Sequence, residues 1–185
     1  MQHLHSLPLA PAKRQTIPPL DNIPHNDYYH RMAGKLQAEL RKKKPFEVLE
    51  QEVMLNLMKT AHALAHPFTQ LFKKSGLTES TYNVLRILRG HGDAGVPCHE
   101  IAEQMVSYDP DLTRLLDRLE TAKLVKRERS CTDRRVIMAR IAPEGLKILS
   151  QLDHPILELH RHQLQHMSPT KLRTLIDLLE EARGT

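Results

Sequence analysis

The sequence is poor in cysteine, in aromatic residues and in long apolar runs. Its two cysteines, Cys98 and Cys131, have no paired spacing, which excludes a disulfide framework and a cysteine zinc cluster and fits a reducing compartment. No run approaches the roughly 18 apolar residues that a membrane-spanning helix requires. The N-terminal stretch MQHLHSLPLAPAKRQ lacks the apolar core of a signal peptide, so we expect a cytoplasmic protein with no membrane partner.

Motifs of the common enzyme classes are also missing. There is no recognisable nucleophile–base pair, phosphate-binding glycine loop or H-E-x-x-H motif, so we expect no enzyme, no catalytic residue and no cofactor. Three phenylalanines and four tyrosines are too few to outline a ligand pocket. What the chain does carry is a formal net charge of +5, which favours an anionic partner, with nucleic acid first.

The positive charge is concentrated in two regions. Residues 1–45 carry eight Lys and Arg against three Asp and Glu, and residues 106–141 carry nine against six. Prolines cluster before residue 25, so residues 1–45 are predicted to be an N-terminal extension, partly disordered, with a candidate helix over 27–43. The basic run Arg41–Lys44 at the end of that helix is interpreted as a solvated helix end rather than a nucleic-acid contact.

Hydrophobic spacing predicts a mainly α-helical domain with one small β-hairpin, an α+β fold, over residues 46–182. A long helix begins at Pro45 and is interrupted at Pro67, and Thr78 caps the next helix. After the hairpin, two more helices begin at Pro143 and at Ser168-Pro169.

Between these helices the sequence predicts a helix-turn-helix. A short helix opens at Pro97, a turn follows at 106–108, and a second helix begins after the N-cap Asp109. The second helix places four leucines at i, i+3, i+4 and i+7 (Leu112, Leu115, Leu116, Leu119), and its other face carries Thr113, Arg114, Asp117 and Arg118. Such a helix can lie in a major groove of double-stranded DNA with its polar face outward, and Arg118 on it either contacts a phosphate or forms an internal ion pair. The turn residues Ser107 and Tyr108 are expected to meet phosphates, and the alternative for Tyr108 is packing against the protein.

The stretches LVKRERS and VIMARI then predict two strands joined by a tight loop, which makes the helix-turn-helix a winged one. Arg134 and Arg135 lie in that loop, where a wing would reach a minor groove of concentrated negative potential. Asp133 cannot contribute by charge and is expected to fix the loop by accepting hydrogen bonds from backbone N–H groups.

The stretch TRLLDRLETAKLVKRERSCTDRRVIMARIAPEG resembles the core of the MarR family of winged-helix regulators. The resemblance implies a homodimer, with a winged helix-turn-helix over about 77–142 and dimerisation helices over about 46–66 and 143–182. It further implies a repressor that binds pseudo-palindromic promoter DNA and responds to a small, commonly phenolic effector. The family pattern also suggests an ion pair between Asp117 and Arg135 that locks the wing to the recognition helix.

The chain departs from the family pattern at a few positions. Lys123 stands where the family usually has glycine, and Ala142 replaces the usual threonine. Asp109 and Asp111 flank the start of the recognition helix, where carboxylates repel phosphates. Asp109 is interpreted as a cap, whereas Asp111 either serves the helix terminus or accepts a hydrogen bond from a cytosine amino group.

Three alternative functions stay open. His62 and His66, like His162 and His166, have the i, i+4 spacing that can place two imidazoles on one zinc ion, so a metal-responsive regulator is one alternative. Cys131 among arginines at the wing tip is a candidate redox-sensitive thiol. The winged helix could also serve as a protein-interaction module whose acidic Asp109 and Asp111 end meets a basic partner.

Overall fold

The computed structural model describes residues 35–107, 109–130 and 132–184. These residues fall into two compact units that divide between Met58 and Lys59. Residues 1–34, with part of the candidate helix over 27–43, lie outside the described residues. None of the helices in the described ranges combines the length and the apolar character needed to cross a membrane.

The element order confirms the predicted mainly α-helical α+β fold. A helix-turn-helix and an antiparallel hairpin stand between longer flanking helices, as in a winged helix. The described elements are α1 (Lys35–Glu39), α2 (Leu49–Lys74), α3 (Glu79–His91), a 3-10 turn (Gly92–Ala94), β1 (Val96–Pro97), α4 (Cys98–Gln104), α5 (Leu112–Thr121), β2 (Val125–Arg129), β3 (Ile137–Ile141), α6 (Pro143–Leu164) and α7 (Pro169–Ala182).

In the first unit, one lysine of the basic run serves the local structure. The Lys42 ammonium donates a hydrogen bond to the Pro45 carbonyl at 3.0 Å and lies 5.3 Å from the ring centroid of Phe46. Phe46 itself is buried. A cation above an aromatic ring is attracted to the negative face of that ring. These contacts give Lys42 a role in the chain turn that precedes α2.

The predicted interruption of the long helix at Pro67 is wrong, because α2 runs unbroken from Leu49 to Lys74 with Pro67 inside it. Proline removes one hydrogen bond from the helix but does not fix the backbone that follows. The turns after Pro67 carry Phe68 and Phe72, which pack in the core of the second unit. Burial of these rings compensates for the lost hydrogen bond. The spacing of apolar residues along a helix does not reveal this contribution from tertiary packing.

The core of the second unit is built from one apolar face of each surrounding element. Thr78 caps α3 as predicted, because its hydroxyl accepts from the Thr81 N–H at 3.2 Å while the Thr81 hydroxyl accepts from the Thr78 N–H at 2.7 Å. The cap directs the apolar face of α3 inward. The largest fully buried side chains come from α3, β1, α4, α5, β2 and α6: Val84, Leu85, Leu88, Val96, Ile101, Leu115, Leu116, Leu119, Val125 and Leu149.

The sheet has three strands, in the order β1-β3-β2, and all neighbours are antiparallel. The hairpin pairs Val125 with Ile141 and Arg129 with Ile137. The third strand, β1, was not predicted, since Pro97 indicated a helix start. Its two residues, Val96 and Pro97, pair with Ala139 and Met138, and they anchor α4 to the hairpin.

The end of α5 adopts a left-handed turn, which explains why the MarR pattern that this stretch resembles usually has glycine at this position. Lys123 has φ of 61°. Its N–H donates to the Glu120 carbonyl at 2.9 Å, and the Leu124 N–H donates to the Leu119 carbonyl at 2.9 Å. This pair of bonds is the Schellman motif, in which the left-handed residue is usually glycine because a Cβ is strained there. The turn points the chain directly from the recognition helix into the wing.

Gly145 lets α6 approach the base of the hairpin. A Cβ at this position would lie 2.5 Å from the Leu124 carbonyl oxygen and 2.9 Å from the Ile141 side chain. The same carbonyl accepts the Ala142 N–H at 2.9 Å. Ala142 is the N-cap of α6 and makes no side-chain capping bond, which is the local consequence of alanine in place of threonine.

Replacing Lys123 by glycine should relieve the backbone strain and raise the free energy of unfolding by about 1 kcal/mol. The measurement is urea-induced unfolding followed by circular dichroism at one fixed protein concentration. Lys123→Ala removes the charge but keeps the strain, so it should stay near the wild-type value. Lys147→Gly, inside α6, should instead destabilise by about 1 kcal/mol. Equal stability of Lys123→Gly and Lys123→Ala would contradict the strain assignment.

Candidate nucleic-acid interface

The recognition helix α5 separates an apolar face from a charged one, as predicted. Leu115, Leu116 and Leu119 are at most 2% exposed and hold the helix against the core. The residues proposed to face DNA are exposed along the other side: Thr113, Arg114, Asp117 and Arg118. The core therefore fixes which face of α5 is presented outward.

The N-cap of α5 is Asp111 rather than the predicted Asp109. The Asp111 carboxylate accepts a hydrogen bond from the Arg114 N–H at 3.3 Å, and the helix begins at Leu112. Asp109 instead accepts from the Asp111 N–H at 3.0 Å. That bond folds Pro110 into a turn before the helix, so Pro110 is not the first helical residue. The role of Asp111 at the helix terminus is thereby established, and a contact with cytosine stays a prediction.

The turn of the helix-turn-helix is tied to α3 by one side chain. The Asn83 Oδ1 atom accepts a hydrogen bond from the Val106 N–H at 2.8 Å. Ser107 is exposed beside it, in the position predicted to meet phosphate, while Tyr108 lies outside the described residues. Asn83 was missed by sequence reasoning, since a single polar residue on a helix carries no distinguishing pattern.

The wing is clamped to the recognition helix by Arg127 of β2. One terminal nitrogen of its guanidinium lies 2.6 Å from Asp117 Oδ1 and 2.6 Å from Glu120 Oε2. Its Nε donates to Glu120 Oε2 at 3.0 Å, and its backbone N–H donates to Glu120 Oε1 at 3.2 Å. The hydrogen bonds to Glu120, and then those to Asp117, raise the pKa of Arg127 despite the opposing effect of burial.

This clamp corrects the predicted pair of Asp117 with Arg135, because Asp117 is paired with Arg127 instead. β2 leads directly away from the end of α5, so a residue on it stands beside the helix. Arg135 lies in the distant wing loop, where its N–H is bonded to Asp133. The wing is locked to the helix as expected, but by a residue on the strand and with Glu120 as a second partner.

Asp133 fixes the wing loop, as predicted. Its Oδ1 accepts the Arg135 N–H at 2.9 Å, and its carbonyl accepts the Val136 N–H at 3.0 Å. Ser130 closes the loop from the other side by accepting the Thr132 N–H at 3.2 Å. Arg134 and Arg135 are exposed beyond this turn. Cys131, the candidate redox-sensitive thiol, lies outside the described residues.

A cavity of about 340 Å³ opens beside the turn of the helix-turn-helix. Two ring pairs stand in its wall, Phe72 stacked on Tyr82 at 4.4 Å and Phe68 against His160 at 4.6 Å. Its polar lining includes Asn83, Arg86, Ser107 and Gln163, and the Gln163 amide donates to the Leu64 carbonyl at 2.8 Å. Sequence reasoning missed this cavity, although Phe68 and Phe72 share one face of α2.

Burial is the main cause that raises the pKa of Tyr82, and the charges of Arg86 and Arg89 oppose it. The hydroxyl therefore stays protonated at neutral pH and can donate a hydrogen bond into the cavity. Arg89 is itself held by a double hydrogen bond to Asp153 of α6, at 2.9 Å for both nitrogens. This contact joins α3 to α6, and both helices contribute residues to the cavity wall.

The histidine pairs receive no further support as a metal site. His62 and His66 are exposed on α2, and His162 and His166 are exposed at the end of α6 and in the turn that follows. Within residues 35–107, 109–130 and 132–184 there is no group of three His, Cys, Asp or Glu residues that could hold a metal ion.

Known proteins share both the sequence pattern and this fold. The MarR family model matches residues 77–137. The homoprotocatechuate degradative operon repressor of Escherichia coli is 26% identical over 133 residues, 72% of this chain and 88% of the repressor. The crystal structure of a MarR transcription factor from Planctomyces limnophilus is 35% identical with a TM-score of 0.56, and the match covers 73% of this chain and 98% of that one.

A DNA complex has the same fold. The MepR protein of the S. aureus MepR–DNA complex is 18% identical with a TM-score of 0.65, over 71% of this chain and 96% of MepR.

Removing the clamp should free the wing from the recognition helix. Arg127→Met is expected to lower the free energy of unfolding by about 1 to 2 kcal/mol, a value discounted for the exposure of both carboxylates. It should also weaken DNA binding, because the wing and α5 no longer hold one geometry. Arg129→Met, an exposed position on the same strand, should change stability by less than about 0.5 kcal/mol.

The two variants are compared by urea unfolding at one protein concentration and by fluorescence anisotropy with promoter DNA. Arg127→Lys keeps the charge but cannot reproduce the fork of donors, so it should fall between wild type and Arg127→Met. A stability of Arg127→Met equal to that of Arg129→Met would show that the clamp contributes nothing.

Proposed function

The chain belongs to the MarR family of DNA-binding transcriptional regulators, and we propose that it represses transcription as a homodimer bound to pseudo-palindromic promoter DNA. The observation that carries the proposal is the clamped unit of α5 and the wing. In it an exposed polar face and a fixed loop with two arginines point away from the core. We place α5 in the major groove and Arg134 and Arg135 at the minor groove.

The proposed DNA contacts divide into base readout, phosphate binding and contact with the minor groove. Thr113 and Arg114, in the first turn of α5, supply base readout. Ser107, Tyr108, Arg118 and Arg134 neutralise or hydrogen-bond phosphates, which gives affinity without sequence preference. Arg135 extends from the loop that Asp133 fixes and contacts the minor groove.

The homodimer is supported by apolar faces that stay uncovered in the single chain. Within the described residues α7 has no buried residue, yet Leu175, Ile176 and Leu178 on it are 37%, 53% and 56% exposed. In the first unit, the beginning of α2 likewise exposes Leu49, Val53, Met54 and Met58. Uncovered apolar helix surface of this kind is typical of an interface between subunits. Two subunits would present two recognition helices to two half-sites.

We further propose that a small aromatic acid binds the cavity beside the turn and lowers the affinity for DNA. The ring pairs offer apolar faces, while Arg86 and the Tyr82 hydroxyl offer a charge and a donor for an anionic or phenolic group. Val106 and Ser107 belong to both the cavity wall and the turn, and Asn83 of α3 lines the same cavity and accepts the Val106 N–H. A ligand in the cavity therefore acts directly on the segment that positions α5.

The alternative functions find less support. A protein-interaction module would need Asp109 and Asp111 as a free acidic surface, but both carboxylates are engaged in the turn and cap before α5. A zinc-responsive regulator would need a third ligand near either histidine pair. An enzymatic activity gains nothing from the comparisons, since the named relatives are regulators. Location in the cytoplasm stays a prediction.

DNA binding should depend on Arg114 and Arg135. The double variant Arg114→Ala/Arg135→Ala should bind promoter DNA at least tenfold more weakly, since losing a contact with a base costs roughly 1 to 3 kcal/mol of binding free energy. Losing a contact with a phosphate lowers the slope of log K against log salt by about one. Affinity is measured by fluorescence anisotropy with DNA from the upstream region of the protein's own gene. Lys171→Ala on α7 is the control for loss of positive charge. Unchanged affinity of the double variant, with the dimer intact, would refute this site.

Effector binding should depend on Arg86. Homoprotocatechuate, an aromatic acid with phenolic hydroxyls, is used as the probe in isothermal titration calorimetry. Arg86→Ala should weaken probe binding about tenfold, since a hydrogen bond to a charged group contributes roughly 1.5 to 3 kcal/mol. Arg173→Ala on α7 should bind as wild type does. If Arg86→Ala bound the probe as tightly as wild type, or if wild type bound none, this placement of an aromatic acid would be rejected.

A further inference from the structure

We infer that Arg114, oriented by Asp111, reads one guanine in each operator half-site. This inference rests on the proposed binding of promoter DNA, and it adds the identity of a base and the residue that positions its reader. Arg114 is the residue that would touch DNA, whereas Asp111 acts through it.

The carboxylate of Asp111 contacts Arg114 through both of its oxygens. One oxygen, Oδ1, accepts the Arg114 backbone N–H at 3.3 Å, and the other, Oδ2, lies 3.2 Å from Arg114 Nε. Both contacts arise from one residue that also begins the helix. The ion pair favours one orientation of the guanidinium relative to the axis of α5, and solvent screens it because the Arg114 side chain is 83% exposed.

This contact leaves the two terminal nitrogens of the guanidinium facing solvent. A guanidinium carries five N–H donors, and Asp111 lies against the Nε side of the group. The two terminal nitrogens remain available as a fork. Guanine presents two acceptors, O6 and N7, on its major-groove edge, and an arginine fork matches this pair better than it matches any other base. The first turn of a recognition helix is the part that reaches base edges.

The neighbouring charges favour a base over a phosphate as the partner of Arg114. A surface recess is lined by Asp111, Arg114, Asp117 and Arg118, and of its two arginines Arg114 is the one ion-paired with a carboxylate of the recess. A carboxylate this close to the guanidinium repels a charged phosphate more strongly than it repels the uncharged edge of a guanine. Asp117 is held by Arg127, which keeps it from competing for Arg114.

Arg118 is the natural contrast. It is exposed one turn further along α5 and has no ion-pair partner within the part of the chain that the structure describes. An unrestrained arginine at this position suits a phosphate, which accepts from many directions. The two arginines of α5 thus divide into a base reader and a phosphate contact.

The test is selection of double-stranded DNA from a random-sequence library by the full-length chain, followed by affinities for the enriched site and its single-base variants. Four variants are compared with wild type: Arg114→Ala, Arg118→Ala, Asp111→Ser and Asp111→Asn. Serine and asparagine both cap helices, so α5 should still form. The serine hydroxyl is too short to reach Nε. The single amide oxygen of asparagine is used by the helix cap, so its NH2 group faces Nε and cannot accept from it. Thermal unfolding verifies that each variant is folded.

Wild type should enrich a half-site with one guanine whose replacement weakens binding about tenfold or more. Arg114→Ala should lose the preference at that position and keep it elsewhere. Asp111→Ser and Asp111→Asn should each reduce the same preference at least threefold, because both keep the cap and lose the acceptor beside Nε. Arg118→Ala should weaken binding to all sites equally and reduce the salt slope by about one.

The inference is overturned if Arg114→Ala weakens all sequences equally, which would make Arg114 a phosphate contact. It is also overturned, in its claim for Asp111, if Asp111→Ser keeps the full guanine preference. Enrichment of a defined site with no guanine that responds to Arg114 would sink the inference and leave the proposed function standing. Enrichment of no site by wild type would instead overturn the proposed function itself.

Discussion

The contact between Arg127 and the two carboxylates of α5 is the interaction on which the DNA-binding surface depends. The core orients α5 through its leucines, the sheet orients the wing, and this clamp joins the two by ion pairs. Glu120 takes two donors of the guanidinium and the backbone N–H, so strand and helix are fixed in register. Asp117 completes the clamp from the face that would meet DNA.

The acidic residues around the recognition helix are explained in the same way, because each of them has a local bonding partner. Carboxylates on a surface that binds phosphates would be unfavourable if they were free. Asp109 and Asp111 instead satisfy backbone N–H groups before and within α5, and Asp133 satisfies those of the wing loop. Each carboxylate fixes the backbone or a neighbouring arginine, and the arginines that remain exposed carry the positive charge of the surface.

Much of this fold could be predicted from local chemistry. The period of the leucines located α5, and hydroxyl and proline signals located the starts of α3, α6 and α7. Contacts between distant residues could not be predicted in this way. The choice of Arg127 over Arg135, the pairing of β1 with β3 and the continuity of α2 through Pro67 each depend on tertiary packing. The cavity escaped detection because its wall combines residues from α2, α3, the turn and α6.

The most direct test of the account is the salt dependence of wild-type binding to DNA from its own upstream region, with random DNA of equal length alongside. If the clamped surface is a promoter-reading interface, binding will be tight to the upstream DNA, steep in salt and much weaker to random DNA. Weak binding of equal strength to both DNAs would contradict the account.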